Sequence, residues 1–148
     1  MDSFVGKSLI NRDGERFSAV EVLETKQVFI LLFASSSCKG IKDLIDLLKD
    51  IYKEAFKHRC GFEIILISSE KTATDFDYFF RRMCGPWYAI PFEDLMKTDS
   101  QAEELRMKFG ISHIPFIVVV KPDGSYISRN ALNDLETMGL NVIVAWSE

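Results

Sequence analysis

The stretch Val28-Phe29-Ile30-Leu31-Leu32-Phe33-Ala34-Ser35-Ser36-Ser37-Cys38-Lys39-Gly40-Ile41 decides how this chain is read. From Val28 to Phe33 it is apolar without a break, over a length that suits a strand better than a helix. A strand apolar on both faces is one that helices cover from both sides. Three serines follow, then one cysteine, and a helical pattern begins at once. Ile41, Leu44, Ile45, Leu48, Ile51, Tyr52 and Ala55 recur at intervals of three and four, while Lys42, Asp46, Lys49 and Lys53 take the other side. This helix is expected to end near His58. Cys38 is thus expected at a helix N-terminus, where free N–H groups and the positive end of the dipole favour a thiolate, and Lys39 adds a cation.

Outward from this stretch, Phe62 to Ser68 reads as a second buried strand, closing a strand-helix-strand unit that is parallel and right-handed. Thr72 or Thr74 caps a helix over 73–83. Cys84-Gly85-Pro86-Trp87-Tyr88-Ala89-Ile90-Pro91 reads as an aromatic-rich loop, and a short helix over 101–109 stops at Gly110 in a left-handed cap. Phe116 to Val120 and Ser125 to Ser128, joined by Lys121-Pro122-Asp123-Gly124, form a hairpin. A last helix near 130–138 ends before Gly139, and the tail from Leu140 to Trp146 is apolar enough to dock on the body. Ahead of Val28, a turn at Asn11-Arg12-Asp13-Gly14 separates two short extended stretches, and Val20, Val22 and Leu23 approach the core. Antiparallel strands after parallel ones predict an α/β fold with a mixed central sheet flanked by helices on both faces.

With 148 residues, 47% of them hydrophobic, the chain suits one core and a single domain over 1–148. A net charge of -4, without a basic cluster that would track a phosphate backbone, argues against nucleic acid as a partner. The N-terminal residues lack the basic-then-apolar pattern of a secretory leader. Val28 to Phe33 is far shorter than the roughly 20 residues that span a bilayer, so no membrane partner is expected. Cys38, Cys60 and Cys84 are too widely and irregularly spaced for a disulfide framework or a zinc site. Cys60 lies past the end of the helix that Cys38 begins, about 30 Å away at ~1.5 Å per residue, and reads as structural. His58 and His113 have no metal-like spacing and no matching acid, which points to surface roles. No metal or cofactor is implied, and a reducing compartment is expected: the cytosol, with the nucleus as a second location.

This order of elements, with a cysteine at the first strand-helix junction and Ile114-Pro115 ahead of the hairpin, resembles the thioredoxin fold. More narrowly it resembles the nucleoredoxin and tryparedoxin branch, and the nucleoredoxin-like proteins most closely. There the segment after the first strand reads roughly Trp-Cys-Pro-Pro-Cys-Arg. Without a gap, Ser37 falls at the Trp, Cys38 at the nucleophilic Cys, Lys39 and Gly40 at the prolines and Ile41 at the resolving Cys. The turn from Asn11 to Glu15, the strand from Phe62 to Ser69 and Pro86-Trp87-Tyr88-Ala89-Ile90-Pro91-Phe92 are similar to the branch's corresponding segments. So are Phe109 to Pro115 and a tail with Gly139-Leu140 and Trp146.

The resemblance implies a cis Ile114-Pro115 peptide beside Cys38, whose neighbouring backbone pairs with an extended substrate. Ser37, Lys39, Gly40, Ile114, Pro115 and Phe116 would line that groove, and Trp87 either joins them or packs in the core. The loop of Cys84 resembles one bordering the family's active site, which makes Cys84 a candidate displaced resolving thiol. Dithiol exchange needs a second thiol to release the mixed disulfide, and here Ile41 extends the core stripe instead. Leu32 replaces the buried acid that many thioredoxins hold beneath the cysteines. A peroxiredoxin would carry Pro and Thr ahead of the cysteine, and a cluster-binding monothiol glutaredoxin a Cys-Gly-Phe-Ser loop; neither is present. Two readings follow. Cys38 serves as a monothiol that forms mixed disulfides with protein thiols or glutathione, or the domain is a redox-inactive module that holds a partner peptide in the groove.

Overall fold

A computed structural model describes residues 4, 6–59, 61–96, 100–128 and 131–147. In chain order the elements are β1 (Ser8–Ile10), β2 (Arg16–Ser18), α1 (Ala19–Leu23), β3 (Val28–Ala34), α2 (Ile41–Lys57) and β4 (Phe62–Ser68). They continue with α3 (Ala73–Asp77), β5 (Tyr88–Ala89), α4 (Phe92–Leu95), α5 (Gln101–Phe109), β6 (Phe116–Val120), β7 (Tyr126–Ser128), α6 (Ala131–Met138) and α7 (Val142–Ser147). Cys60, Asn130 and the first three residues of the leading segment lie outside the described residues.

Seven strands form one sheet in the order β2-β1-β5-β4-β3-β6-β7. β3 and β4 run parallel in an unbroken register from Val28↔Phe62 to Ala34↔Ser68, and β6 joins β3 from the other side, antiparallel, from Phe29↔Val120 to Phe33↔Phe116. Every residue of β3 and β4 is buried, so both faces of the sheet centre are covered. The mixed sheet and the β3-α2-β4 crossover are as the hydrophobic pattern requires. The hairpin is also present: the Lys121 N–H donates to the Ser125 carbonyl and the Gly124 N–H to that of Lys121, closing the turn between β6 and β7.

The 73–83 helix begins on Thr72, whose hydroxyl accepts from the Asp75 N–H at 3.1 Å, but its α-helical turns stop at Asp77. From Tyr78 to Met83 it widens into π-turns, closed by the Cys84 N–H on the Phe79 carbonyl. The extra residue per turn lets Phe76, Phe79 and Phe80 all reach the core. The 84–91 segment is more than a loop. Tyr88 and Ala89 pair with β4 and Ala89 also with Ile10 of β1, so two residues bridge the leading hairpin to the sheet centre. α5 starts on Ser100, which accepts from the Glu103 N–H, and ends at Gly110 in the left-handed conformation that favours glycine. Past α6 the tail docks as expected: Val142, Ile143 and Trp146 are buried, and the Trp146 indole donates to Asp134 Oδ2.

A carboxyl group lies within this core. Glu63, the second residue of β4, is 2% exposed; its Oε1 accepts from the Tyr52 hydroxyl (3.0 Å) and the Ile64 N–H (3.1 Å), and Lys26 Nζ stands 3.6 Å from Oε2. Burial dominates and raises the carboxyl above its ordinary value of 4.5, although the backbone bond and Lys26 act the other way. A raised folded-state pKa means that Glu63 stabilises the fold most in its protonated form, and that this contribution is lost as pH rises through the raised value. Glu63→Gln, which keeps an acceptor for Tyr52, should therefore gain stability relative to wild type from about pH 4.5 to pH 8 in urea unfolding. A constant difference across that range would disprove it.

Candidate functional site

β3 leaves the sheet at Ala34, and its carbonyl accepts from the Ser69 N–H, so the loops after β3 and β4 depart side by side. The equal ends of the two strands give Ser36 and Glu70 the same offset from the last pair, Ala34↔Ser68. Glu70, 8% exposed, uses that proximity: its Oε1 accepts from the Ser36 N–H at 2.5 Å. The Glu70 N–H donates to Ser68 Oγ, and Arg106 Nη2 reaches the Ser68 carbonyl and Ser69 Oγ, both at 3.4 Å, bracing the same turn from α5. The serines are structural partners rather than spacers. Ser35 is buried, its hydroxyl lies 2.8 Å from that of exposed Ser37, and 3.6 Å from Cys38 Sγ. A short hydroxyl chain thus runs from the surface to a half-buried thiol.

Cys38 does not stand on the first turn of α2, as the spacing led us to expect. Its carbonyl accepts from the Ile41 N–H (3.2 Å) and its own N–H donates to the Ser35 carbonyl (3.2 Å), which makes a separate turn. Gly40, with φ 74°, then redirects the chain into α2. That left-handed geometry is open to glycine and strained for other residues. One of the N–H groups expected to face the sulfur is therefore already used by the cysteine's own backbone. Ile41, 5% exposed, is buried at the place of a second thiol.

The opposite wall comes from the approach to β6. Ile114-Pro115 is a cis peptide, as the resemblance implied. Because Phe33 pairs with Phe116, Pro115 sits level with Ala34, at the end of the sheet from which residues 35 to 38 emerge. Ile114, Pro115 and Phe116 are half-buried, Ser37, Lys39 and Gly40 exposed, and the His113 ring meets Phe116 edge-on at 5.2 Å.

Two candidates fall away from this end. Trp87 is fully buried and packs edge-on against Tyr52, ring centroids 5.7 Å apart. Tyr52 is eleven residues along α2 from Ile41, roughly 16 Å down the helix axis, so Trp87 is core and lines no groove at Cys38. Cys84 is also fully buried, beside Lys49 and Arg12, and desolvation outweighs those cations and pushes its thiol up to about 12. Lys49 is eight residues into α2, roughly 12 Å along its axis, so Cys84 is neither placed nor ionised to resolve a disulfide at Cys38. Contrary to the expectation of no matching acid, His58 has an acidic partner one helical turn back, Glu54 at 2.8 Å, on the surface of α2. Among the described residues, no group of three or more His, Cys, Asp and Glu could hold a metal ion. Nor is any of their helices long and apolar enough to cross a membrane.

A family model described as thioredoxin-like matches residues 26–126, from the start of β3 to the hairpin. The chain belongs to the thioredoxin-like family. Nucleoredoxin-like protein 1 of Homo sapiens is 27% identical over 131 residues, which are 85% of this chain and 59% of that protein. The chain thus spans less than two thirds of that relative. Among solved structures, thioredoxin from Wuchereria bancrofti superposes with a TM-score of 0.80 at 26% identity, over 97% of this chain and 95% of that one. Tryparedoxin II complexed with glutathionylspermidine gives 0.79 at 27% identity, over 97% and 94%. The likeness to nucleoredoxin-like and tryparedoxin-like proteins is borne out, and thioredoxin-like membership supports a redox-related role.

Glu70 and the Ser35–Ser37 pair were not singled out in the sequence. The signal that would have found Glu70 is the acid two residues past Ser68, matched in register with Ser36. Glu70→Ala leaves the Ser36 N–H without its acceptor and should lower stability by about 1–3 kcal/mol in urea unfolding. It should also change the alkylation rate of Cys38, while Glu70→Gln retains an acceptor and falls between. In the folded wild type, peptide mapping after iodoacetamide at neutral pH should find Cys84 unmodified, and labelling of Cys84 as fast as of Cys38 would contradict its burial.

Proposed function

We propose that this chain acts as a monothiol disulfide exchanger, with Cys38 forming mixed disulfides with a protein thiol or glutathione. The observation that carries it is the pairing of a half-buried Cys38, reached by the Ser37–Ser35 hydroxyl chain, with a buried Ile41 where a resolving thiol would stand. The Cys38 thiolate attacks one sulfur of a substrate disulfide, a new S–S bond forms, and the other sulfur departs as a thiolate that takes up a proton. Ser35 Oγ, 3.6 Å from Sγ, is placed to donate to the thiolate before attack and again when Cys38 is released. Release needs an outside thiol, such as a second glutathione, because among the described residues no second thiol is in reach of Cys38. The groove of Ile114, Pro115 and Phe116 would hold the extended backbone around the substrate sulfur. A glutathione conjugate bound to the related tryparedoxin II supports this substrate class.

A redox-inactive module is the second reading. Ile41 favours it, since a buried aliphatic side chain there completes the core stripe of α2 and removes self-resolution. Cys38→Ser separates the two: under the exchange reading it abolishes adduct formation with glutathione disulfide at this position, and under the module reading it leaves partner binding intact. We expect wild type to gain one reducible glutathione at Cys38 by peptide mapping, and Cys38→Ser none. Absence of an adduct on wild-type Cys38 would remove the exchange reading.

Ile41→Cys offers a gain-of-function check. Residues 38 and 41 are joined across one turn by a backbone hydrogen bond, and the ends of such a turn lie within ~7 Å, close to disulfide spacing. The substitution should raise insulin-disulfide reduction in the presence of dithiothreitol by roughly tenfold or more, since a second thiol then resolves the mixed disulfide. An unchanged rate would show that Ile41 is not what limits turnover.

A further inference from the structure

We infer that the concave face between α2 and the Gly85-Pro86 turn, remote from Cys38, docks an acidic, apolar-anchored segment of a partner protein. The concavity measures about 610 Å³. Three cations line it, Arg12 from the leading turn and Lys49 and Lys53 from α2, together with Tyr52, Phe56 and Pro86, and no carboxylate. None of these cations is in an ion pair among the described residues, although the chain carries a net charge of -4.

The helix sequence sorts the charge. Lys42, Lys49 and Lys53 follow one stripe of α2, and within it Asp46 pairs with Lys42 at 3.7 Å, while Lys49 and Lys53 are in no ion pair among the described residues. Arg12 is held from both sides: its Nη1 donates to the Cys84 carbonyl at 3.4 Å, and its own carbonyl accepts from Arg81 Nε at 2.7 Å. Its remaining donors are free to meet a carboxylate. A second concavity of about 840 Å³ lies on the other side of Arg12, where Asp13 and Asp77 line it with Arg81, Arg82 and Tyr78, so the carboxylate-free surface is the one between α2 and Gly85-Pro86.

Charge alone would suit any anion, and the apolar half of the site decides between them. Phe56 is 83% exposed on α2, against a core that buries every other described phenylalanine at least in part. Cations beside an exposed phenylalanine and a proline match a peptide in which acidic residues flank an aromatic or aliphatic one. Three cations around an apolar floor are too few and too short a track for a phosphate backbone. The occupant is therefore a protein segment. The inference is independent of Cys38 chemistry and survives its failure.

Fluorescence anisotropy with a dye-labelled peptide of alternating Glu and Leu tests it on the full chain, at about 50 mM and about 150 mM salt. The peptide should bind saturably. Lys49→Glu with Lys53→Glu should weaken it about tenfold or more, and Phe56→Ala should weaken it at both salt concentrations. Lys108→Glu with Lys121→Glu, which lie outside the concavity, should not. Circular dichroism verifies the fold of each variant, and Lys53→Gln supplies a milder loss of the same sign should the reversal unfold the chain. No saturable binding at the lower salt, equal weakening by the control reversal, or no effect of Phe56→Ala would each overturn the inference. So would a single-stranded RNA oligomer that binds more tightly than the peptide in the same buffer.

Discussion

The parallel pairing of Val28–Ala34 with Phe62–Ser68, buried along its whole length, is the constraint on which the rest of the structure depends. Backbone groups in such a place have no water to turn to, so every N–H and C=O must find its ladder partner. A slip by one residue would turn every side chain to the other face and would also move Glu63 away from Tyr52 and Lys26. With the register held, the two strands end level. Ala34 and Ser68 release their loops side by side, Ser36 meets Glu70, and the antiparallel neighbour brings Pro115 to the same edge. The thiol, its hydroxyl partners and the cis peptide are brought to one end of the sheet by pairing alone.

Burial then divides chemically similar groups. Cys38 and Cys84 are both free thiols, yet one is half-buried at the open end of the sheet beside a serine hydroxyl, and the other is sealed against the middle of α2 with its proton held tightly. Glu70 and Glu63 are both buried acids. Glu70 serves as an acceptor for the Cys38 loop, whereas Glu63 answers a tyrosine within the core at the opposite end of β4. Leu32 is fully buried in the sheet centre, and the carboxylate of Glu70 reaches the Cys38 loop through the Ser36 N–H.

Much of this was legible in the residues. Unbroken apolarity over Val28 to Phe33 and Phe62 to Ile67 specifies buried strands, the three-and-four spacing from Ile41 specifies α2, and Gly110 and Pro122-Asp123-Gly124 specify where chain direction changes, because each is a local requirement of backbone sterics or of an amphipathic face. The cis Ile114-Pro115 peptide came from resemblance, since an X-Pro pair by itself leaves both isomers open.

What the residues alone determined was therefore the sheet, its principal crossover and the presence of a lone cysteine at the strand-helix junction. What only the tertiary structure decided was which side chains share a place. Trp87 and Cys84 carry the same local signals whether they border a groove or fill a core, and their burial depends on β5 inserting between β1 and β4, a pairing of two residues too short to register as a pattern. Gly40 bends the chain into α2 and moves Cys38 off the helix end, a choice set by one backbone angle rather than by hydrophobic spacing. Glu70, Ser35 and Arg12 gained partners distant in sequence or hidden by their polarity, because hydrogen bonds and charge act across space, and only the folded chain brings their partners within reach.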